Sequence, residues 1–488
     1  MSRSLSTAVG AVLSSRILLV ATGALITPIL TRLLGPSAYG QYATILSIYI
    51  LVKILMVSGV RSGAKKFFSD QRGLSNWRNY VWATYLRMSI AIGSLFAFGL
   101  GILVFLDVIS TFFGISYVLP FYLLIVLLLI TQFQTLSVST LMGLHLEKYA
   151  EPIQVVEKIS FGIIAVSLIV LGYGVPGVIF GHIMSIFFTL LICMLIIRNY
   201  LKLTSFIEPV PRSFPKRELW HFNNYSVIFS FLLYSFYHVD VILLQSFTNE
   251  ELVGYYKVAL VVVEILWLFP QSVQAVLIQS VSELWRSESA SKINKLSTEI
   301  TRYVFLLTVL LAAGLASLAE LFIPLYFGDD YSAAVIPLLI LLPGTICFAV
   351  VRPSLAITHA KGDLRPLIVA TGIAAGINIL LNLLLIPSFG LIGAAIATTI
   401  GYSSLLITQV FSARYVGYDP ISGTQPIRIL STGVLTVLVL HVSINRIGNT
   451  GIVFFLIPLL GTIVFTIISI FFGVMSIREL RSIWVKIT

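Results

Sequence analysis

Long apolar runs alternate with short polar breaks along nearly the whole chain. About fourteen runs approach the roughly 20 residues needed to cross a hydrocarbon core about 30 Å thick. They lie near 7–31, 40–60, 80–106, 117–142, 153–172, 175–198, 222–247, 253–277, 302–326, 333–357, 365–386, 390–413, 427–445 and 451–475. The pattern predicts an all-α integral membrane protein of about fourteen transmembrane helices. The first break sets the style of the rest. Leu33-Leu34-Gly35-Pro36-Ser37-Ala38-Tyr39-Gly40-Gln41-Tyr42 ends one run and begins another. Gly-Pro followed by small residues is turn chemistry. Tyr39 and Tyr42 suit a membrane interface. A plain helix–helix turn accounts for the stretch taken alone, but Val253-Gly254-Tyr255-Tyr256 echoes it much later.

Composition agrees with a lipid environment. Of 488 residues, 58% are hydrophobic and only 10% are charged, against roughly 25% charged in soluble domains. Mean hydropathy is +1.00. Net charge is +11, from 31 Lys and Arg against 20 Asp and Glu. In a membrane protein such an excess gathers in cytoplasmic loops, so it does not call for nucleic acid. Here the basic residues cluster in every second connection: Arg61 to Arg78, Arg198 to Arg217, Arg286 to Arg302, and the tail from Arg478. The alternate connections carry Asp107, Glu250-Glu251 and Asp329-Asp330, with Arg32 and Arg446 as basic exceptions. Both termini are therefore expected in the cytoplasm of a multi-pass cell (inner) membrane protein. Cys193 and Cys347 lie in apolar runs and read as packing residues. The start of the chain, with Arg3 before the first run and Arg16 inside it, is a poor signal peptide.

The chain also repeats itself. Phe113-Gly114 and Tyr117 recur 214 residues later as Phe327-Gly328 and Tyr331. Gly40 with Gly254, His145 with His359, and Pro152 with Pro366 keep the same offset. Gly174 and Gly177 match Gly390 and Gly393. Parallel six-helix repeats are the expectation, with a substrate path between them. The expected domains are a six-helix bundle over 1–200, a cytoplasmic connector over 201–220, a second bundle over 221–414, and two extra helices with a tail over 415–488. Lys202–Glu218, with Pro209, Pro211 and Pro215, reads as a stiff, extended spacer. Gln279–Leu296 reads either as a helix on the membrane surface or as a solvated loop.

No nucleotide-binding loop, metal-ligand spacing or nucleophile triad is visible, so neither an enzyme nor a metal or other cofactor is expected. Embedded charges carry the chemistry instead. A charge at a helix centre costs at least roughly 2.5–3.5 kcal/mol and faces a cavity or a partner. Arg16 lies in the first run and Lys53 in the second, in the same half of the membrane. Asp240, Lys257 and Glu264 lie in the seventh and eighth. Asp240 and Lys257 fall at similar depths and are expected to pair. Arg87 and Arg352 sit nearer the inner surface, where snorkelling explains them as well as function does, and Glu157 and Glu320 read as structural groups close to helix ends. Packing or hydrogen bonding accounts for His182 and His238, and interhelical hydrogen bonds for Asn378 and Asn382.

The stretches RLLGPSAYGQYA, VGYYKVA and FGLIGAAIATTIG resemble Wzx-type polysaccharide-biosynthesis flippases of the multidrug/oligosaccharidyl-lipid/polysaccharide (MOP) exporter superfamily. Gly59–Asp70, GVRSGAKKFFSD, is similar to archaeal members, some of which serve protein N-glycosylation. The resemblance covers essentially the whole chain. It implies a MATE-like fold of two six-helix repeats plus two C-terminal helices. It also implies alternating access and a lipid-linked oligosaccharide on a polyprenyl phosphate or diphosphate. Membrane lipid is the other partner, and the coupling ion, if any, a proton or sodium. It carries over no site motif, so Arg16 and Lys53 rest on the charge argument as the phosphate-binding pair. Two other classes compete. A multidrug or cation exporter would favour an acidic cavity, for which Asp240 and Glu264 are the candidates. A sugar polymerase or glycosyltransferase would need a large outer loop, and none is visible.

The orientation is testable with single cysteines at Ser37, Thr248 and Ser213. An impermeant thiol reagent applied to intact cells should label the first two and spare Ser213. Labelling of Ser213 alone would reverse the assignment.

Overall fold

The computed structural model describes the backbone of residues 5–70, 76–221, 224–286, 290–447, 450–476 and 479. Side chains are described for these except 5–17, 221, 279, 283, 286, 290, 445, 447, 450 and 452. Every regular element among the described residues is helical, as a lipid solvent that cannot satisfy backbone groups requires. Contacts divide the chain into two compact units, Met1–Gly254 and Tyr255–Thr488.

The first unit contains α1 (Leu5–Ser69), α2 (Trp77–Phe105), α3 (Val108–Phe113), α4 (Val118–Gly143), α5 (Glu147–Val170), α6 (Gly174–Ile197), α7 (Lys216–His221) and α8 (Asn224–Phe247). α9 (Glu250–Ile265) starts at the unit boundary. The second unit continues with α10 (Leu268–Arg286), α11 (Ala290–Phe327), α12 (Val335–Ala360), α13 (Arg365–Val416), α14 (Pro426–Ile447) and α15 (Thr450–Phe471).

Straight, the 65 residues of α1 would run about 98 Å at 1.5 Å per residue, far beyond one bilayer. Gly35 breaks the helix at φ 71°, ψ 171°. Gly390 breaks the 52-residue α13 at φ 52°, ψ −127°. Both conformations favour glycine because a Cβ would clash there. Each long helix is thus two spans. α9 and the start of α10 are one span bent by 52°. With these three breaks taken together, the spans among the described residues number fourteen, as the hydropathy pattern predicts. α14 and α15 pack on each other and on α11, outside the twelve-span repeat.

The repeat is visible in matching geometry within each unit. Gly114 (φ 97°) and Gly328 (φ 114°) each open a 3₁₀ turn ahead of a span. Gly174 and Gly390 share φ values of 51° and 52°. Tyr42 Oη meets His182 Nε2 at 2.9 Å. In the second unit Tyr256 Oη meets Thr398 Oγ1 at 2.9 Å. The tyrosines are 214 residues apart and their partners 216.

Three local expectations change. The connector is docked rather than simply extended. A 3₁₀ turn at Leu203–Phe206 leads it, and Arg87 donates to the carbonyls of Phe206 and Glu208 at 2.6 Å. Phe214 packs on Trp77 with ring centroids 4.9 Å apart. Arg87 therefore clamps the connector instead of merely snorkelling. Gln279–Leu296 contains the facing ends of α10 and α11, apart from 287–289, which are outside the described residues. Trp285 ties this end down by donating to the Ile357 carbonyl at 2.9 Å. Polar turns also extend several helices beyond their apolar runs. Glu157 accordingly sits near the middle of the 24-residue α5, not near its end. Of the cysteines, Cys193 is buried and Cys347 is half-buried.

The equivalent glycines Gly40 and Gly254 meet within the first unit. A Cβ on Gly40 would overlap the Glu250 carbonyl, and one on Gly254 the Pro36 carbonyl. Ser37 and Ser116 add hydrogen bonds to the Glu250 carboxylate at 3.1 and 3.4 Å. Gly40→Ala should therefore destabilise the protein by about 1–3 kcal/mol. Gly99→Ala, in open space inside α2, should gain a few tenths to about 1 kcal/mol. Thermal unfolding of the two variants in one detergent checks this; equal melting temperatures would contradict it.

Candidate functional site

Four helices of the first unit present polar stripes to one another. In α1, Tyr49, Lys53, Val57 and Arg61 recur every four residues. In α5, Gln154, Glu157, Lys158 and Phe161 follow the i, i+3, i+4, i+7 pattern of a single helix face. α4 adds Gln134 and Ser139, and α6 adds His182 and Ser185. Together they line a cavity of about 280 Å³.

The walls are pinned by neutral contacts. Tyr49 Oη lies 2.8 Å from Thr131 Oγ1. His182 stacks on Phe161 with centroids 3.7 Å apart while bonded to Tyr42. Gln134 Nε2 donates to Glu157 Oε2 at 2.7 Å. The cations are held more loosely. Lys53 Nζ sits 5.2 Å from the Tyr49 ring centroid, and Lys158 Nζ 5.8 Å from that of Phe161. Such cation–π contacts orient an ammonium without neutralising it. Among the described residues, Lys53, Arg61 and Lys158 form no ion pair. The cavity thus carries three cations and one carboxylate, a balance suited to an anion.

Lys53 is therefore where a cavity residue should be. The side chain of Arg16, its expected companion, lies outside the described residues. Glu157 and Lys158 join the site, although neither stood among the site candidates. Their signal was the polar stripe in α5, masked because its polar residues spread into the preceding turn.

In the other embedded group, Lys257 Nζ lies 3.5 Å from Glu264 Oε1, two turns along α9. Asp240 is buried in α8, and its carboxylate accepts the Val241 N–H at 2.8 Å. His238 Nδ1 lies 3.2 Å from Ser47 Oγ. Asn378 donates to the Ala397 carbonyl at 3.3 Å, bridging the two arms of α13. These last two are the packing and interhelical bonds expected of them.

The second unit holds a different cavity, about 710 Å³, among α11, α12, α13 and α14. Phe305, Val309, Leu342, Ile346, Leu406 and Val434 are typical of its lining, and Arg414 is the charged exception.

The place equivalent to the cationic cavity is filled differently in the second unit. Lys53 and Gln134 correspond, 214 residues on, to Trp267 and Phe348. These rings pack with centroids 4.8 Å apart, and Trp267 donates to the Thr345 carbonyl. One repeat closes with aromatics where the other keeps charge.

Known proteins agree with this architecture. The lipid II flippase MurJ in an inward closed conformation superposes with a TM-score of 0.69 at 18% identity, covering 96% of this chain and 99% of that one. An inward-facing multidrug resistance MATE family transporter of the MOP superfamily gives 0.66 at 16% identity, covering 82% and 94%. These two likenesses establish the fold. In sequence, the probable low-salt glycan biosynthesis flippase Agl15 of Haloferax volcanii is 25% identical over 462 residues, 92% of this chain and 91% of its own. The family described as polysaccharide biosynthesis protein matches residues 29–336. That is more than half of the chain, which therefore belongs to the polysaccharide biosynthesis protein family.

Proposed function

We propose that this protein is a lipid-linked oligosaccharide flippase. It moves a glycan on a polyprenyl phosphate or diphosphate from the cytoplasmic to the outer leaflet by alternating access, for surface polysaccharide or glycoprotein assembly. The observation that carries this reading is the cavity lined by the embedded Lys53 and Lys158 together with the exposed Arg61, cations with no ion pair among the described residues. Phosphate oxygens are the natural partners of such a group. The twin repeat supports the reading: Trp267 and Phe348 show that the fold packs this place without cations. The apolar cavity of the second unit has the chemistry a prenyl chain requires. One relative named as a probable flippase of low-salt glycan biosynthesis and another named as a probable flippase point the same way.

A cation exporter of the same superfamily is the second reading, favoured by the MATE likeness. The excess of cations over carboxylates in the cavity weighs against it. Both termini and the connector are assigned to the cytoplasm on the alternation of basic connections. Arg16 is assigned to the phosphate with Lys53. Asp240, Lys257 and Glu264 are assigned to an embedded charge network, with a proton or sodium as the ion it would couple.

Loss of a charge-assisted hydrogen bond costs roughly 1.5–3 kcal/mol, or about tenfold to a hundredfold. Lys53→Ala, Lys158→Ala and Arg16→Ala should each lower surface glycan assembly by at least about tenfold at normal protein level. Lys53→Arg and Arg16→Lys should keep more activity than the alanine variants, because the charge survives. The measurement is outer-surface glycan divided by protein in the membrane. Normal glycan in a well-expressed Arg16→Ala, Lys53→Ala double variant would sink the assignment.

A further inference from the structure

Glu157 is an odd residue to find in an anion site. A carboxylate repels phosphate, yet this one lies on the same face of α5 as Lys158 and lines the cavity with Lys53. It lies inside the apolar run of a membrane helix, where a charge faces a cavity or a partner. Its hydrogen bonding is also partial. A carboxylate can accept about four hydrogen bonds, and Oε2 takes one, from Gln134. Among the described residues Oε1 takes none, and no cation of theirs is within ion-pairing reach. Gln134 is a neutral donor on a neighbouring helix. It draws the carboxylate to one side while both lysines rest on aromatic rings. Lysine is a point charge on a flexible stem. Each ammonium can therefore swing between its ring, Glu157 and an incoming anion.

We propose that Glu157 is an internal counter-anion that competes with cargo phosphate for Lys53 and Lys158. The carboxylate neutralises the lysines when cargo leaves, and Gln134 holds it aside when cargo enters. This rests on the reading of the cavity as a phosphate site. Glu157 then determines how readily cargo is released, whereas the cations determine whether it binds. Without the competitor the cavity would hold its cargo too tightly to turn over.

The test uses the purified full-length protein in detergent, with geranylgeranyl diphosphate as the probe, at one ionic strength. A nearby charge shifts such equilibria by one unit or more, about tenfold. Glu157→Gln should therefore bind the probe about tenfold tighter than the parent, while surface glycan assembly falls. Gln134→Leu frees the carboxylate and should act in the opposite direction, weakening binding. Lys53→Ala should weaken binding too, and in the Lys53→Ala, Glu157→Gln double variant the gain from Glu157→Gln should shrink. Unchanged or weaker binding by Glu157→Gln, with Lys53→Ala still impaired, would overturn the counter-anion and leave the phosphate site standing. Unchanged binding by Lys53→Ala would overturn the phosphate site itself. Loss of both Glu157→Gln and Gln134→Leu from the membrane would mark the pair as structural and also overturn the proposal.

Discussion

An ammonium group halfway along a membrane helix must be compensated, and the surroundings of Lys53 are shaped by that need. Hydrocarbon would charge it at least roughly 2.5–3.5 kcal/mol. The compensation is a polar cavity, not a tight ion pair. Four helices have to contribute to it, since no single one offers enough polar surface. Their faces must also stay in register. Tyr49 on Thr131, and His182 stacked on Phe161 while bonded to Tyr42, provide that register with uncharged groups. The arrangement leaves the cations free to do something other than hold the bundle together. Lys257 shows the alternative solution: Glu264 is 3.5 Å away on the same helix, and the charge is settled locally.

The comparison of repeats separates what the fold needs from what one half has added. The shared features are backbone events and one hydrogen bond. They include glycines at matching positive φ, a 3₁₀ turn ahead of a span, and a tyrosine held from the twelfth or sixth span. All of these position helices. The differing features are side chains in the interior. Lys53 and Gln134 in one half are Trp267 and Phe348 in the other. Glu157 is matched by Thr371, which receives a hydrogen bond from Gln409 at 3.0 Å. The aromatic version fills space and satisfies itself. The cationic version does neither, and a fold that can dispense with it would not retain it for packing.

Spans and repeat were legible in the sequence because both depend on strong, local signals. Twenty apolar residues cannot be hidden, and Gly-Pro or Phe-Gly at a fixed offset marks a backbone event that few other residues permit. The cavity was legible only in part. Lys53 interrupts an apolar run and so announces itself. Glu157 and Lys158 follow a polar turn and fall only a few residues inside the run near 153–172, so hydropathy alone sets them close to a helix end, and only the helix starting back at Glu147 brings them to its centre. Arg87 was readable as a charge but not as a clamp, because its partners are backbone carbonyls more than a hundred residues away. Helix ends suffer most from this kind of reading, since lipid thickness limits the apolar run and not the helix.

The two cavities differ in chemistry as far as two sites in one protein can. One is small, polar and cationic; the other is larger and almost wholly apolar. A small cationic drug asks for neither combination. It would want a carboxylate free to pair with it, yet the carboxylate of the polar cavity already shares its walls with three cations. Taken by itself, each cavity suits one part of a lipid phosphate: the headgroup needs cations that are not already spent on protein carboxylates, and hydrocarbon needs a lining that costs nothing to dehydrate. Turnover adds a further demand, because an anion site strong enough to extract a headgroup from the membrane surface also resists giving it up. On the proposed reading, a weak internal competitor beside the cations answers that demand without new machinery, which gives a carboxylate a physical role in a cavity proposed to take phosphate.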